Sequence, residues 1–200
     1  MQVPFYFDYA CPWAYLGSSR AEAYFRDLGV EIDFRPVHLR RLVEPGVGKP
    51  LELGPRKQKN ALGDFRHWAE ALGAEVSPNA RALYKTDTSL ALRCALVAKD
   101  ERRLREFHYP AYRARWADAR DLGDEALLGE LLGPAGLDAA RVLARAKSPE
   151  LEERLTKETE AALARGVFGV PTLFVGDEMF WGNDRFELVR FYVSKAAGRG

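Results

Sequence analysis

The sequence predicts an α/β protein in which a large all-helical segment interrupts a small sheet. Strand-forming runs occur near the two ends of the 200-residue chain, and about 120 residues between them carry helical periodicity. The element order is β-α-β, then helices, then β-β-α, which is typical of a thioredoxin-like fold with a large all-helical insertion. We therefore assign residues 1–44 and 166–200 to the thioredoxin-like domain and residues 45–165 to the inserted helical domain.

The N-terminal unit is predicted to be a strand, a helix and a second strand. Residues 3–7 form a short run of β-forming side chains. A helix should begin at Pro12, which suits a first helical position, and continue to about residue 28, before Gly29. Residues 31–37 alternate polar and apolar side chains, as a half-buried strand does. The two strands should be parallel because a helix connects them.

The middle of the chain is predicted to be a series of helices. Apolar side chains recur at helical spacing over residues 61–72, 90–97 and 104–115. Pro110 should kink or break the third of these helices. Shorter helices are expected over residues 124–132 and 138–146, and another should begin with Ser148 as its N-cap and end at Gly166. The Gly/Pro-rich residues 44–50 are predicted to be the entry linker.

The C-terminal unit is predicted to be a hairpin followed by a helix. Residues 171–175 and 178–181 form strands, and the two residues between them form the turn. Asn183 or Asp184 should cap the last helix. Because only about 5–6% of X-Pro bonds in folded proteins are cis, the residues alone predict a trans bond between Val170 and Pro171.

The composition excludes several classes of protein. Thirty Lys and Arg residues balance 29 Asp and Glu residues, so no net charge draws the chain to nucleic acid or to an anionic membrane. No run approaches the roughly 18 apolar residues that cross a bilayer, and the first residues lack a signal-peptide pattern. Two cysteines and three scattered histidines predict neither a disulfide framework nor a metal site. We expect a soluble cytoplasmic protein whose binding partners must be inferred from its sites.

Cys11 is the candidate catalytic residue. The segment FDYACPWAYLG begins like a Cys-x-x-Cys disulfide-exchange motif, but Ala14 occupies the second cysteine position. At a helix N-terminus the sulfur should face free N–H groups, which favour the reactive thiolate; the alternative is a small buried residue at a strand-to-helix turn. Without a second thiol, either a small thiol such as glutathione resolves a mixed disulfide or the site holds a thiol cofactor. Cys94, on an apolar helix face, is predicted to be a core residue.

The turn after the second C-terminal strand is a further candidate site. Asp184 offers a carboxylate to a ligand ammonium, and the helix that follows offers its N-terminus to a ligand carboxylate. The alternative is that Asp184 is only an N-cap. Aromatic side chains that could wall a pocket for an aromatic substrate, although such residues are more often core, are Trp13, Trp116, Phe168 and Trp181.

Four segments carry a resemblance to a known family. They are FYFDYACPWAYL, PRKQKNALGDFRHWAEALG, FHYPAYRARWADARDLGD and GVFGVPTLFVGDEMFWGNDRF, and together they span nearly the whole chain. They resemble the 2-hydroxychromene-2-carboxylate isomerases, which are related to kappa-class glutathione transferases and to DsbA-type oxidoreductases. The resemblance implies a thioredoxin-like fold with a helical insertion, a homodimer and glutathione as the cofactor.

The resemblance also implies roles for individual residues. Pro171 would be cis, the Val170 backbone would pair with the glutathione peptide, and Asp184 with its neighbour would grip the γ-glutamyl end. The implied glutathione contacts are Cys11, Val170, Pro171, Trp181, Gly182, Asn183 and Asp184. Lys57 matches a family lysine near the cleft, and Trp13 and Lys57 are the candidate substrate contacts.

The chain departs from this family at the active position, where the isomerases carry serine and this chain carries Cys11. The leading hypothesis is a glutathione-dependent isomerase that acts on an aromatic-catabolic intermediate: a thiolate adds to a conjugated enone, the carbon–carbon bond rotates, and elimination returns the thiol. One alternative is a DsbA-like monothiol oxidoreductase that forms mixed disulfides at Cys11. Others are a kappa-like glutathione transferase and a non-catalytic binding protein.

Overall fold

Residues 1–42 and 54–198 are described by the computed structural model. The chain begins with strand β1 (Gln2–Phe7), helix α1 (Pro12–Tyr24) and strand β2 (Glu31–Pro36), followed by the short helix α2 (Leu39–Leu42). Helix α1 ends four residues earlier than predicted because residues Arg26–Leu28 tighten into a 3-10 turn. Gly29, at φ 64°, closes that turn in the left-handed conformation that glycine adopts most readily.

One four-stranded sheet has the order β2-β1-β3-β4, with β3 at Thr172–Val175 and β4 at Glu178–Trp181. Strands β1 and β2 are parallel, whereas β1 pairs antiparallel with β3 and β3 with β4. Phe5 of β1 lies opposite Phe34 of β2 and Leu173 of β3, so the middle of the sheet joins the two ends of the chain. The predicted thioredoxin-like order of strands and helices is confirmed.

Between α2 and β3 the described residues form helices joined by turns and loops, with no strand among them. The α-helices are α3 (Pro55–Ala71), α4 (Ser89–Asp100), α5 (Leu104–Trp116), α6 (Glu125–Leu132), α7 (Ala139–Ala146) and α8 (Pro149–Ala164), and α9 (Phe186–Ala196) follows the hairpin. Ser148 caps α8 as predicted, since its Oγ accepts a hydrogen bond from the Leu151 N–H at 3.3 Å. Within the described ranges, no helix has the length and apolar character needed to span a bilayer.

Helix α5 continues through Pro110, so the predicted break is wrong. Pro110 lies on the exposed side of the helix, where solvent can bond the Glu106 carbonyl that loses its helical partner. Phe107 and Ala111 on the opposite side are fully buried and hold the helix against the core on both sides of the proline. Tertiary packing therefore outweighs the local preference.

The free edge of strand β2 is blocked by two side chains from the helices. Lys99 Nζ donates to the Phe34 carbonyl at 2.9 Å, and Arg105 Nη2 donates to the Ile32 carbonyl at 3.3 Å. Lys99 also forms a 2.5 Å ion pair with Asp33 on the same strand. These bonds occupy acceptors that an added strand would use, which protects this edge from association with other chains.

His108 of α5 is buried in the aromatic core beneath the sheet. Its ring centroid lies 4.4 Å from that of Phe7 and 4.5 Å from that of Phe34, and Nε2 is 3.1 Å from Ser18 Oγ. Burial lowers the pKa of His108 to about 3, with a smaller contribution from the positive charge of Arg105. The imidazole is therefore neutral at physiological pH.

This neutral histidine predicts a specific loss of stability in acid. Unfolding returns the His108 pKa from about 3 to an ordinary value of about 6.5, so the unfolded chain takes up a proton that the folded chain does not. Stability contributed by His108 is complete above about pH 6.5 and falls towards pH 3 by up to about 1.4 kcal/mol per pH unit. Denaturant unfolding of His108→Asn at several pH values should show a shallower dependence over this range.

His67, an exposed histidine on α3, provides the matched control. His67→Asn should keep the pH dependence of the wild type, because it leaves the buried imidazole and its aromatic neighbours in place. Parallel pH profiles for the wild type and His108→Asn would show that the buried imidazole does not control acid stability.

Candidate functional site

Cys11 lies in the connection between β1 and α1, at the N-cap position of α1. It is 5% exposed and its thiol is free. Sγ donates a hydrogen bond to the Val170 carbonyl at 3.0 Å, across 159 residues of sequence. The parallel and antiparallel pairing of the sheet therefore brings two predicted site residues into direct contact.

The loop that carries Val170 is fixed by backbone hydrogen bonds. The Val170–Pro171 bond is cis, so the trans bond expected from base rates is wrong and the cis bond implied by the family resemblance is confirmed. Gly182 N–H donates to the Pro171 carbonyl at 2.9 Å, and Thr172 Oγ1 donates to the Gly169 carbonyl at 2.7 Å. Among the described residues, no hydrogen-bond acceptor is found for the Val170 N–H.

The turn after β4 depends on glycine. Gly182 has φ 115° and ψ 152°, and a Cβ atom there would lie 2.4 Å from Asp184 Oδ1. The Asp184 carboxylate therefore packs directly against Gly182. The Gly182 backbone has a conformation that other residues rarely adopt. Neither Asn183 nor Asp184 caps α9, so that prediction is wrong. Both lie in a 3-10 turn, Asn183–Arg185, and Arg185 occupies the N-cap position of α9.

The two polar side chains of this turn differ in exposure. Asn183 is 2% exposed, and its Nδ2 has no hydrogen-bond partner in the described part of the chain. The Asp184 side chain is about half exposed and lies 3.4 Å from the Arg185 guanidinium. The turn therefore presents a carboxylate to solvent beside a buried amide.

Two aromatic side chains stand over the loop before Pro171. Trp181 and Phe168 are each about half exposed, and their ring centroids are 4.8 Å apart in an edge-to-face arrangement. Gly169 allows this contact, because a Cβ atom there would lie 2.8 Å from Trp181 Nε1. The pair forms an exposed aromatic surface next to the Cys11–Val170 contact.

Trp13 belongs to a different aromatic group. Its ring centroid lies 5.6 Å from that of Phe65 on α3, which in turn lies 6.0 Å from that of Trp116 on α5. Lys57 is on α3, but its side chain and the predicted linker at residues 44–50 lie outside the described residues. Trp13 and Lys57 therefore remain predictions as substrate contacts.

The protonation of Cys11 differs from the sequence-based prediction. Burial raises the pKa of Cys11 to about 12; the Trp13 and Ala14 amides of α1 lower it, and the Asp8 carboxylate raises it further. Desolvation outweighs the helix N-terminus, so the raised pKa opposes the predicted thiolate. Cys11 is a thiol that donates a hydrogen bond. Cys94 is fully buried, as predicted, and burial also raises its pKa to about 12.

Two residues near the site were missed by the sequence analysis. Arg20 of α1 donates to the Asn183 carbonyl, and its guanidinium carbon lies 4.3 Å from the centroid of the Phe186 ring, so it joins α1 to the turn after β4. Its partner lies 163 residues away, and no local pattern could reveal the pairing. The Asp8 carbonyl accepts a hydrogen bond from the Cys11 N–H at 3.0 Å. The sequence feature that could have revealed Asp8 is a charged residue inside the apolar segment that leads to Cys11.

Comparison with known proteins agrees with this geometry. The family model for the DSBA-like thioredoxin domain matches residues 2–193. The chain therefore belongs to the DSBA-like thioredoxin domain family, which defines its class.

Individual relatives are more specific. The chain is 32% identical to a 2-hydroxychromene-2-carboxylate isomerase of Pseudomonas putida, over 100% of this chain and 95% of that protein. It is 28% identical to one of Sphingobium xenophagum, over 96% of this chain and 97% of that protein. A solved structure of a 2-hydroxychromene-2-carboxylate isomerase superposes with a TM-score of 0.87 at 28% identity and covers 98% of this chain and 96% of its own. The resemblance to the 2-hydroxychromene-2-carboxylate isomerase family is confirmed.

Proposed function

We propose that the protein is a glutathione-dependent isomerase of 2-hydroxychromene-2-carboxylate or of a related aromatic-catabolic intermediate. The observation that carries this proposal is the protonated Cys11 thiol at the N-terminus of α1, which donates a hydrogen bond. In this family a serine hydroxyl at the same position donates to the glutathione thiolate. A buried thiol is also a hydrogen-bond donor, although a weaker one. The relatives that this chain matches over nearly their full length are named as isomerases, which supports the same reaction.

The backbone around Val170 supports a glutathione site. Its carbonyl faces the Cys11 sulfur, and its N–H has no acceptor among the described residues, so both groups are placed to pair with a peptide. Asp184 would accept the γ-glutamyl ammonium, and Asn183 would hold the adjoining carboxylate. Trp181 and Gly182 line the same turn, and the cis Pro171 completes the loop.

The reaction conserves atoms and electrons. The glutathione thiolate adds to the β-carbon of a ring-opened conjugated enone, and the electron pair of the carbon–carbon double bond moves to the carbonyl oxygen. The former double bond is now single and rotates. The electron pair then returns, expels the thiolate and restores the double bond with changed geometry. Cys11 acts by turning its single S–H from the Val170 carbonyl to the glutathione sulfur, which stabilises the thiolate before addition and after elimination.

The alternatives place different demands on Cys11. A monothiol oxidoreductase needs Cys11 as a thiolate nucleophile, and the raised pKa of this buried thiol opposes that role. A kappa-like transferase would use the same glutathione site, but it would release the thioether adduct as its product, whereas the isomerase eliminates glutathione from that adduct. Product analysis distinguishes the two, because an isomerase leaves the glutathione concentration unchanged.

Substitution of Cys11 tests the proposal. Cys11→Ser keeps a donor at this position and should retain glutathione-dependent conversion of 2-hydroxychromene-2-carboxylate, followed by its absorbance. Cys11→Ala removes the donor and should lower kcat by about 100-fold, comparable to the loss of one transition-state donor. Cys94→Ala is the matched control, because this second cysteine is a fully buried core residue of α4 and not one of the candidate site residues. Conversion by the wild type without any added thiol, abolished in Cys11→Ser, would instead identify Cys11 as the nucleophile.

Asp184→Asn tests the glutathione end of the site. Loss of the charge should raise the Kd for glutathione by about tenfold, since a hydrogen bond to a charged group contributes about 1.5–3 kcal/mol. Cysteinylglycine, which lacks the γ-glutamyl group, should bind wild type and variant equally. Asp177→Asn, in the exposed hairpin turn, is the control and should leave both affinities unchanged. Equal weakening of both ligands would place the γ-glutamyl group elsewhere.

The proposal includes a homodimer in the cytoplasm, where both free cysteines would remain reduced. Helix α9 exposes Leu188 and Phe191, 48% and 61% accessible, three residues apart on one face. Adjacent exposed apolar side chains are typical of interaction surfaces. Sedimentation equilibrium should give twice the chain mass, and Phe191→Asp should give the monomer, whereas Leu62→Asp on α3 should not. A monomeric wild type would contradict this part of the proposal.

A further inference from the structure

Asp8, at the end of β1, is a buried carboxylate with a full set of donors. It is 1% exposed. Oδ1 accepts from the Ala10 N–H at 2.9 Å and from Thr88 Oγ1 at 2.7 Å, and Oδ2 accepts from the Leu39 N–H at 2.8 Å. Three donors directed at two oxygens fit a carboxylate, which only accepts. A buried charge needs such donors, because leaving it unsatisfied costs several kcal/mol.

The main chain of Asp8 is bound just as firmly. Its carbonyl accepts from the Cys11 N–H at 3.0 Å, which closes the turn before α1, and from the Tyr112 hydroxyl at 3.0 Å. Its partners therefore come from the turn itself, from the start of α2 at Leu39, from the residue before α4 at Thr88, and from α5. Asp8 therefore connects the end of β1 to the inserted helices beside the turn that carries Cys11.

We propose that Asp8 is a positioning residue that fixes the Cys11 turn and adds to the effect of burial in keeping the Cys11 thiol a hydrogen-bond donor. Its hydrogen bonds hold the turn so that Sγ points at the Val170 carbonyl. Its negative charge opposes a second negative charge on the nearby sulfur. Nothing in the sequence motif around Cys11 assigns this role, and it does not require that the substrate be known.

Asp8 is the charged side chain near Cys11, although burial raises the pKa of Cys11 more than this charge does. Among the described residues, the titratable groups near the sulfur are Asp8, from the same connection, and Tyr112, from α5. Burial raises the pKa of Tyr112 well above its ordinary value, so this phenol stays neutral. From α1, the Trp13 and Ala14 amides favour the thiolate. Tyr9, which also lies near Asp8, is fully buried, and burial raises its pKa well above the ordinary value.

The experiment measures the ionisation of Cys11 directly. Thiolate ultraviolet absorbance is titrated in a Cys94→Ala background, as the difference from the same protein carrying Cys11→Ser. Asp8→Asn removes the charge and should lower the midpoint of thiolate formation by about half a pH unit, because the Asp8 charge contributes less than burial. Thr88→Val is the matched variant, since it removes one hydrogen bond to the carboxylate and keeps the charge. Its midpoint should equal that of the parent.

Alkylation tests the positioning half and serves even where Asp8→Asn fails to fold. Thr88→Val loosens the turn, so the Cys11 alkylation rate should rise severalfold although the titration is unchanged. A Thr88→Val rate equal to that of the parent overturns the positioning role. An Asp8→Asn midpoint equal to that of the parent, or an equal shift in Thr88→Val, overturns the electrostatic role.

The consequence for catalysis rests on the proposed function and is measured separately, from kcat and KM. With 2-hydroxychromene-2-carboxylate and glutathione, both variants should lower kcat more than they raise KM for glutathione, because they act on the donor and not on the peptide site. An unchanged kcat beside a shifted titration overturns the catalytic part of the role. Absence of turnover in the parent protein contradicts the proposed function and leaves the titration result standing.

Discussion

The hydrogen bond from Cys11 Sγ to the Val170 carbonyl is the contact on which the site depends. It joins residues 159 positions apart, and it forms only because β1 pairs with β3 beside both of them. Helix α1 reaches this sheet closely at Gly17, where a Cβ atom would lie 3.1 Å from the Phe5 ring and 3.4 Å from Pro171. The N-terminal unit and the C-terminal hairpin therefore assemble the site together, and neither carries it alone.

Two opposing effects act on the Cys11 sulfur, and their magnitudes decide its state. A helix N-terminus stabilises a negative charge by about 0.3–1 kcal/mol, and by about 2 kcal/mol in favourable buried geometry. Full burial shifts a pKa by up to about 3–5 units at about 1.4 kcal/mol each. Desolvation is the larger effect at 5% exposure, and the Asp8 charge acts in the same direction. The motif position favours a thiolate, but the surroundings favour a thiol.

The sequence was sufficient for features that depend on nearby residues. Helix and strand periodicity, the Ser148 cap and the hairpin turn gave the element order of the fold correctly. The two largest errors share a cause, since both depend on distant contacts. Packing on both sides keeps α5 continuous through Pro110, and base rates for prolyl bonds carry no information about the loop before Pro171. The quoted family segments supplied the cis bond that local reasoning missed.

The inserted helices supply hydrogen bonds to the Cys11 turn in addition to packing against the sheet. Helix α5 covers the Cys11 turn with Tyr112, and the residue before α4, Thr88, binds the carboxylate of Asp8. Where the N-terminus of the first helix in a thioredoxin-like fold is open to solvent, a cysteine there lies near the helix amides and can be reached by a disulfide substrate. Here the helices bury the same position and surround it with hydrogen bonds, and Ala14 removes the resolving thiol. What remains is a buried hydrogen-bond donor, which is the role that the proposed function gives to Cys11.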